Sequence, residues 1–165
     1  DRTISAINTK LWDPESGFYY SYDLRQGRRL QVKTSSGFMP LFAGVSSETQ
    51  ADRLSLHLKE SFSRGHDWRL CASTAIDEPA FEALKYWRGP IWINLNWLIH
   101  LGLVRYGFDD LAKKLRSDTL ELLAAGGLYE YFDARPPSTR GGTLGLGSDS
   151  FSWSAALALD LLDTP

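Results

Sequence analysis

The 165-residue sequence predicts an all-α fold of stacked helical hairpins, and three observations carry that prediction. The first is the run from Tyr86 to Leu103, YWRGPIWINLNWLIHLGL, which gathers three of the six tryptophans around a Gly-Pro step. Pro90 suits a first helical turn, where a missing N–H has no partner to lose. A helix from Pro90 would carry Ile91, Trp92, Ile93, Leu95, Trp97, Leu98, Ile99 and Leu101 with almost no polar face, the pattern of an inner helix. The second observation is that short and long connections between helical segments alternate, as they do when hairpins stack with their long loops at one end. The third is that no strand run alternates with the helices, which argues against a parallel sheet.

The length suits one domain with a real core. Eighteen basic and 20 acidic residues are scattered along the chain for a net charge of −2, which leaves no footprint for nucleic acid or an anionic membrane. The apolar run of about twelve residues is short of the roughly twenty that a bilayer requires. The single cysteine, Cys71, excludes an internal disulfide. The chain starts at Asp1 without a signal or anchor pattern, and the expectation is that it begins inside a larger fold.

In order along the chain, Thr3 to Leu11 reads as the last turns of a helix, with Ile4, Ile7, Asn8 and Leu11 at helical spacing. Asp13-Pro14-Glu15-Ser16-Gly17 breaks it. FYYSYDL and RRLQVK flank Arg25-Gln26-Gly27 as a small β-hairpin decorating the helical body. SSGFMPLFAG reads as an apolar loop. Ser46 or Ser47 caps a helix that runs to about Lys59, with Ala51, Leu54 and Leu58 on its inner stripe. A long loop from Ser61 to Arg88 leads to the inner helix, which ends by Gly107. Asp109 opens another helix through Leu111, Leu115, Leu122 and Leu123, and Gly126-Gly127 stops it. LYEYFD is a short extended run and ARPPSTRGGTLGLGSD a flexible loop. The last helix, SFSWSAALALDLL, has Ser150 or Ser152 near its cap and an apolar face through Ala155, Leu159 and Leu162.

Two constellations could carry chemistry. Tyr86, Trp87, Arg88 and Trp92 stand at the mouth of the inner helix, where aromatic faces can stack on sugar C–H groups while charged and amide groups bond hydroxyls. Equally, Trp87 and Trp92 could be core anchors and Arg88 the partner of a carboxylate. Glu130, flanked by Tyr129 and Tyr131 beside a Gly-rich loop, has the setting of a general base. Alternation along a strand would instead leave it an exposed acid facing away from both tyrosines. His57, His66 and His100 lack metal-ligand spacing and read as solvated or core side chains. Cys71 has no nucleophile signature, and GGTLGLG lacks the Lys-Ser/Thr of a phosphate cradle.

The segments LWDPESGFYYSYD, GFMPLFAG, YWRGPIWINLNWLIHLGL, EYFD and FSWSAALALDLL, in this order, resemble the C-terminal half of glycoside hydrolase family 63, and mannosylglycerate and glucosylglycerate hydrolases most of all. The resemblance covers nearly all of the chain and implies that residues 1–165 are one unit, the C-terminal half of the glycosidase domain. It implies a partial (α/α)6 barrel, with helical hairpins, long loops at one end and a small β-hairpin. It also implies an inverting α-glycosidase without metal or cofactor, in which one carboxylic acid protonates the leaving oxygen and a second carboxylate activates water.

Carried over by motif, Glu130 is the general base, Tyr86, Trp87 and Trp92 shape the sugar subsite, and Arg88 holds the loop. The family's general acid lies in a motif upstream of YWRGP that nothing here matches. Asp13, Asp23 and Asp77 fall in segments that match other parts. The loop between Asp133 and Phe151 is longer than the family's usual link, and Ser150 stands where a polar amide can contact sugar.

The chain is therefore expected to be the base-bearing half of a glycosidase acting on small α-glucosides or α-mannosides, inactive alone. Its expected partners are a sugar and either an acid-bearing N-terminal half or a second copy closing the open apolar face. The alternative is a non-catalytic sugar-binding or assembly module derived from such an enzyme. The family suggests a cytoplasmic location.

Overall fold

The computed structural model describes residues 2–63, 67–135 and 144–163. Helix α1 (Arg2–Lys10) leads into two antiparallel hairpins, β1 (Trp12–Asp13) with β2 (Phe18–Tyr19), and β3 (Ser21–Asp23) with β4 (Arg28–Leu30). A 3-10 turn over Ser35–Phe38 passes into the short helix α2 (Met39–Ala43), and α3 (Glu48–His57) follows. After a long connection come α4 (Ile93–Arg105), α5 (Asp109–Gly126), the paired strands β5 (Tyr131–Phe132) and β6 (Gly145–Leu146), and α6 (Ser152–Asp163). Among the described residues no helix is long and apolar enough to cross a membrane.

Helix α4 is the centre of the assembly and packs against α2, α5 and α6. Its close approach to α2 depends on Gly102, where a Cβ would lie 2.8 Å from both Leu41 Cβ and the Phe42 backbone nitrogen. Helix α3 starts as the sequence suggests. Ser47 accepts from the Gln50 N–H, and Gln50 Oε1 accepts from the Ser47 N–H, a capping box. Ala51, Leu54 and Leu58 are fully buried beneath it.

Several expectations change. The inner helix begins at Ile93, not Pro90, because Ile91 is extended and exchanges two backbone hydrogen bonds with Phe132, at 2.8 and 2.9 Å. GFMPLFAG is not a loop but the 3-10 turn and α2, closed by Gly44 at φ 68°. The α3 spiral continues past Lys59 as a π-helical stretch to Phe62, which carries Phe62 onto Phe38 at 4.9 Å.

The hairpin region is more than decoration. Phe18 and Tyr20 are buried, and Phe18 meets Phe38 edge-on at 5.6 Å. Last, α6 turns Ser154, Leu157, Ala158 and Leu161 toward the body and leaves Leu159 and Leu162 exposed at 69% and 62%. Those two leucines lie one step round the helix from the stripe that α4 and α5 cover.

Helix α4 is likewise not enclosed on all sides. Ile93, Asn96, Ile99, His100 and Leu103 are buried, whereas Leu95, Trp97, Leu98 and Leu101 keep part of their surface. Trp97, expected as plain core, donates its indole N–H to Asp160 Oδ2 at 2.6 Å.

The long connection is itself structured. Trp68, Leu70, Cys71, Ala72 and Ala75 are buried in it, and such backbone needs partners. Asn96 supplies them. Its Oδ1 accepts from the Cys71 N–H at 2.8 Å, and its Nδ2 donates to the carbonyls of Cys71 and Trp92 at 3.1 and 2.9 Å.

Candidate active site

The site is assembled where the long connection, the entry to α4 and the β5–β6 pair meet. Residues 82–88 form a compact loop. Arg88 N–H donates to Lys85 O at 2.6 Å, Lys85 N–H to Glu82 O at 2.9 Å, and Glu82 N–H to Arg88 O at 2.7 Å. Glu82 Oε1 gathers Arg88 Nη2 at 2.9 Å and Lys85 Nζ at 3.4 Å. The Arg88 side chain also donates to Ala80 O at 3.3 Å, so it spans the base of the loop.

The loop presents Tyr86 and Trp87 at its tip. Tyr86 sits at φ 30°, a backbone region that costs a tyrosine energy and persists only when its surroundings enforce it. The enforcing contacts are visible. The Trp92 indole N–H donates to Tyr86 O at 3.0 Å, and the Tyr86 ring stands edge-on to Trp92 at 4.9 Å and to Tyr131 at 5.2 Å.

Trp87 lies flat on Trp92, with centroids 3.8 Å apart and planes 4° from parallel. Tyr131 also stacks on Trp92, at 4.9 Å and 21°. Trp92 therefore has no exposed surface, while Tyr86 and Trp87 are 46% and 47% exposed. Of the three aromatics expected to shape a subsite, two form an outer wall and Trp92 backs it.

Glu130 comes to this wall from 44 residues away in the chain. The Tyr86 hydroxyl donates to Glu130 Oε1 at 2.8 Å. That hydrogen bond, ahead of burial and of the carboxylate's charge, pushes the Tyr86 phenol above its ordinary pKa. The backbone of Glu130 is held at both ends, its N–H donating to Ser148 O at 3.0 Å and its carbonyl accepting from the Trp153 indole at 3.3 Å. Strand alternation does not separate Glu130 from Tyr131, because β5 begins only at Tyr131 and both residues touch Tyr86. Nearby Asp133 is fully buried and grips Arg135 through Nε at 2.7 Å and through Nη2.

The residues set aside in the sequence stay outside this cluster where they are described. Asp13 is tied to the Ser16 N–H and to Arg29, and Asp23 caps the turn at Arg25 and Gln26. His57 bonds Ser16 O at 2.9 Å and His100 bonds Ala112 O at 3.1 Å. Cys71 is fully buried, and burial pushes its thiol well up. His66 and much of the GGTLGLG stretch lie outside the described residues, among which no trio of His, Cys, Asp or Glu converges as a metal site. Ser150 is exposed at φ 50°. Sequence reasoning did not assign Tyr131, Trp153 or Gly147 to the site. Only the aromatic flank of Glu130 hinted at Tyr131, and nothing in the sequence marks Gly147 among the other glycines.

The sequence profile of the mannosylglycerate hydrolase MGH1-like glycoside hydrolase domain matches residues 1–154. The chain belongs to this family. Among curated relatives of this glycoside hydrolase family, the mannosylglycerate hydrolase of Thermus thermophilus is 46% identical over 90% of the chain and 34% of its own length. The glucosylglycerate hydrolase of Mycolicibacterium hassiacum is 31% identical over 91% of the chain and 33% of its own length.

The crystal structure of a family 63 mannosylglycerate hydrolase from Thermus thermophilus, in complex with Tris and D-glycerate, superposes with a TM-score of 0.87. It is 41% identical, over 96% of the chain and 36% of that structure. The fold is accordingly part of an (α/α)6 barrel. The chain spans about a third of the length of the curated relatives it matches.

Proposed function

We propose that this chain is the base-bearing part of an inverting α-glycosidase that hydrolyses small α-mannosides or α-glucosides of the mannosylglycerate and glucosylglycerate type. One observation carries the reading. Glu130, in its EYFD motif, is held by the Tyr86 hydroxyl at the edge of an exposed Tyr86–Trp87 wall. A carboxylate beside an aromatic platform is what activation of water against a bound sugar ring requires.

In this mechanism the pyranose lies on Trp87 and Glu130 takes the proton from the attacking water. A second carboxylic acid on the opposite face of the sugar protonates the departing glycerate oxygen. That acid comes from a complementary part of the barrel, for no stretch of this chain matches its motif. The exposed leucines of α6, Leu159 and Leu162, belong to the side that this part covers. Arg88 takes no part in the chemistry and braces the loop through Glu82 and Ala80.

The test is Glu130→Gln in the protein with the complementary part present, assayed on mannosylglycerate and glucosylglycerate. Losing the general base should lower kcat by about 10²- to 10⁴-fold. NMR of the first-formed sugar should give the β-anomer from the α-glycoside. A near-normal rate, or release of the α-anomer, would overturn the reading. Sugar binding that depends on Trp87, with no hydrolysis in any pairing, would favour a non-catalytic module instead.

A further inference from the structure

Gly147 opens the turn between β6 and α6, at φ 73°. A Cβ there would lie 2.5 Å from Glu130 Oε2, 2.9 Å from Glu130 Cβ and 2.8 Å from Tyr131 Cε1. The Glu130 side chain thus occupies the volume that any other residue at 147 would fill. The next residue, Ser148, supplies the carbonyl that accepts the Glu130 N–H. The same two-residue stretch therefore fixes the Glu130 backbone and vacates room for its carboxylate, while Tyr86 holds the other oxygen from across the wall.

We propose that Gly147 is a positioning residue for Glu130: by presenting no side chain it lets the carboxylate lie over the 147–148 backbone, with Oε1 on the Tyr86 hydroxyl. This rests on the reading of Glu130 as the general base. With a methyl group at 147 the carboxylate must swing away. The backbone cannot yield easily, since Glu130 is bonded at its N–H and its carbonyl and Tyr131 is stacked on Trp92. The Tyr86 hydrogen bond then breaks, and the proton acceptor leaves its place beside the sugar.

The experiment compares Gly147→Ala with Gly107→Ala. Gly107 also lies at positive φ, 74°, but a Cβ there meets nothing within 4 Å, so it reports backbone strain alone. The first readout needs no catalysis. The Tyr86 phenol is titrated by NMR with ring-labelled tyrosine, its signal assigned by its loss in Tyr86→Phe. Since the Glu130 hydrogen bond is the main reason Tyr86 titrates high, Gly147→Ala should lower its titration point and Gly107→Ala should leave it unchanged.

The second readout is hydrolysis with the complementary part of the barrel present. Gly147→Ala should cut kcat by at least about tenfold with little change in KM, because a misplaced base slows chemistry more than binding. Should Gly147→Ala not fold, Gly147→Asn keeps the question open to test, since asparagine tolerates the left-handed region while still filling the space. An unmoved Tyr86 titration in a folded Gly147 variant overturns the proposal, whatever happens to the rate. A moved titration with an unchanged kcat supports the positioning role and overturns instead the reading of Glu130 as the base.

Discussion

Trp87 and Trp92 lie parallel and in contact, yet they face opposite fates under mutation. Trp92 has no exposed surface and carries Trp87 on one side and Tyr131 against it as well. Removing it empties a core volume, and Trp92→Ala should cost about 3–5 kcal/mol in urea unfolding. Trp87 is 47% exposed and buries mainly the face it lays on Trp92. Trp87→Ala should therefore cost about 1–2 kcal/mol, since only part of its apolar area is out of water. Its main effect should be on ligand affinity, with sugar binding by calorimetry weakened at least severalfold. Equal and severe destabilisation by both substitutions would mean that the wall is only core. The two residues are indistinguishable in YWRGPIW. What separates them is the loop closed by Glu82, Lys85 and Arg88, which lifts Trp87 outward and leaves Trp92 at the end of an extended stretch.

Elements whose limits are set by neighbouring residues were legible in the sequence. The Ser47 capping box, the Gly126–Gly127 stop of α5 and the Asp23 turn all close within a few residues of one another. Elements whose limits are set by distant partners were not. Pro90 can start a helix, but the bridges from Ile91 to Phe132 and Ala72 keep it extended. The last helix carries apolar residues on adjoining faces, and only the positions of α4 and α5 decide which face is covered. In the site, Glu130 and the aromatics were readable as residue types, but the 2.8 Å Tyr86–Glu130 contact and the open space at Gly147 join parts of the chain that no local pattern links.

Asn96 illustrates the same dependence and can be tested. As a residue of an apolar helix it looks misplaced, yet it is fully buried and satisfies both backbone groups of Cys71. Asn96→Leu keeps the volume and strands those groups, at about 1–3 kcal/mol each less what relaxation recovers. A loss of about 2–4 kcal/mol is expected, with the urea m-value unchanged and the amides of the long connection exchanging faster. A variant as stable as the parent would show that the connection holds itself in place.

Across the whole molecule, two histidines tie distant parts of the body together in their neutral form. His57 joins α3 to the first hairpin turn through Ser16 O, and His100 joins α4 to α5 through Ala112 O. Burial is the main reason both imidazoles titrate below their ordinary value, with Lys33 and Arg53 adding to it at His57 and Arg116 at His100. The bonds to Ser16 O and Ala112 O oppose the shift, as do Asp77 and Asp160 more weakly, and burial outweighs them. A histidine whose folded pKa is depressed binds fewer protons than it does in the unfolded chain. Its contribution to stability is thus complete above the unfolded value of about 6.5 and drains away as pH falls through the folded value. Asp13 acts in the same direction at lower pH, because its hydrogen bonds to Ser16 hold its carboxyl below the ordinary value. The midpoint of thermal unfolding should therefore fall steadily on acidification from about pH 7 to about pH 5, before the carboxylates begin to titrate. His57→Gln and His100→Gln, which keep a neutral polar side chain, should each flatten that slope, and the double variant should nearly abolish it. A parent protein whose unfolding midpoint stays level over that range would mean that these imidazoles accept a proton in place without loss of packing.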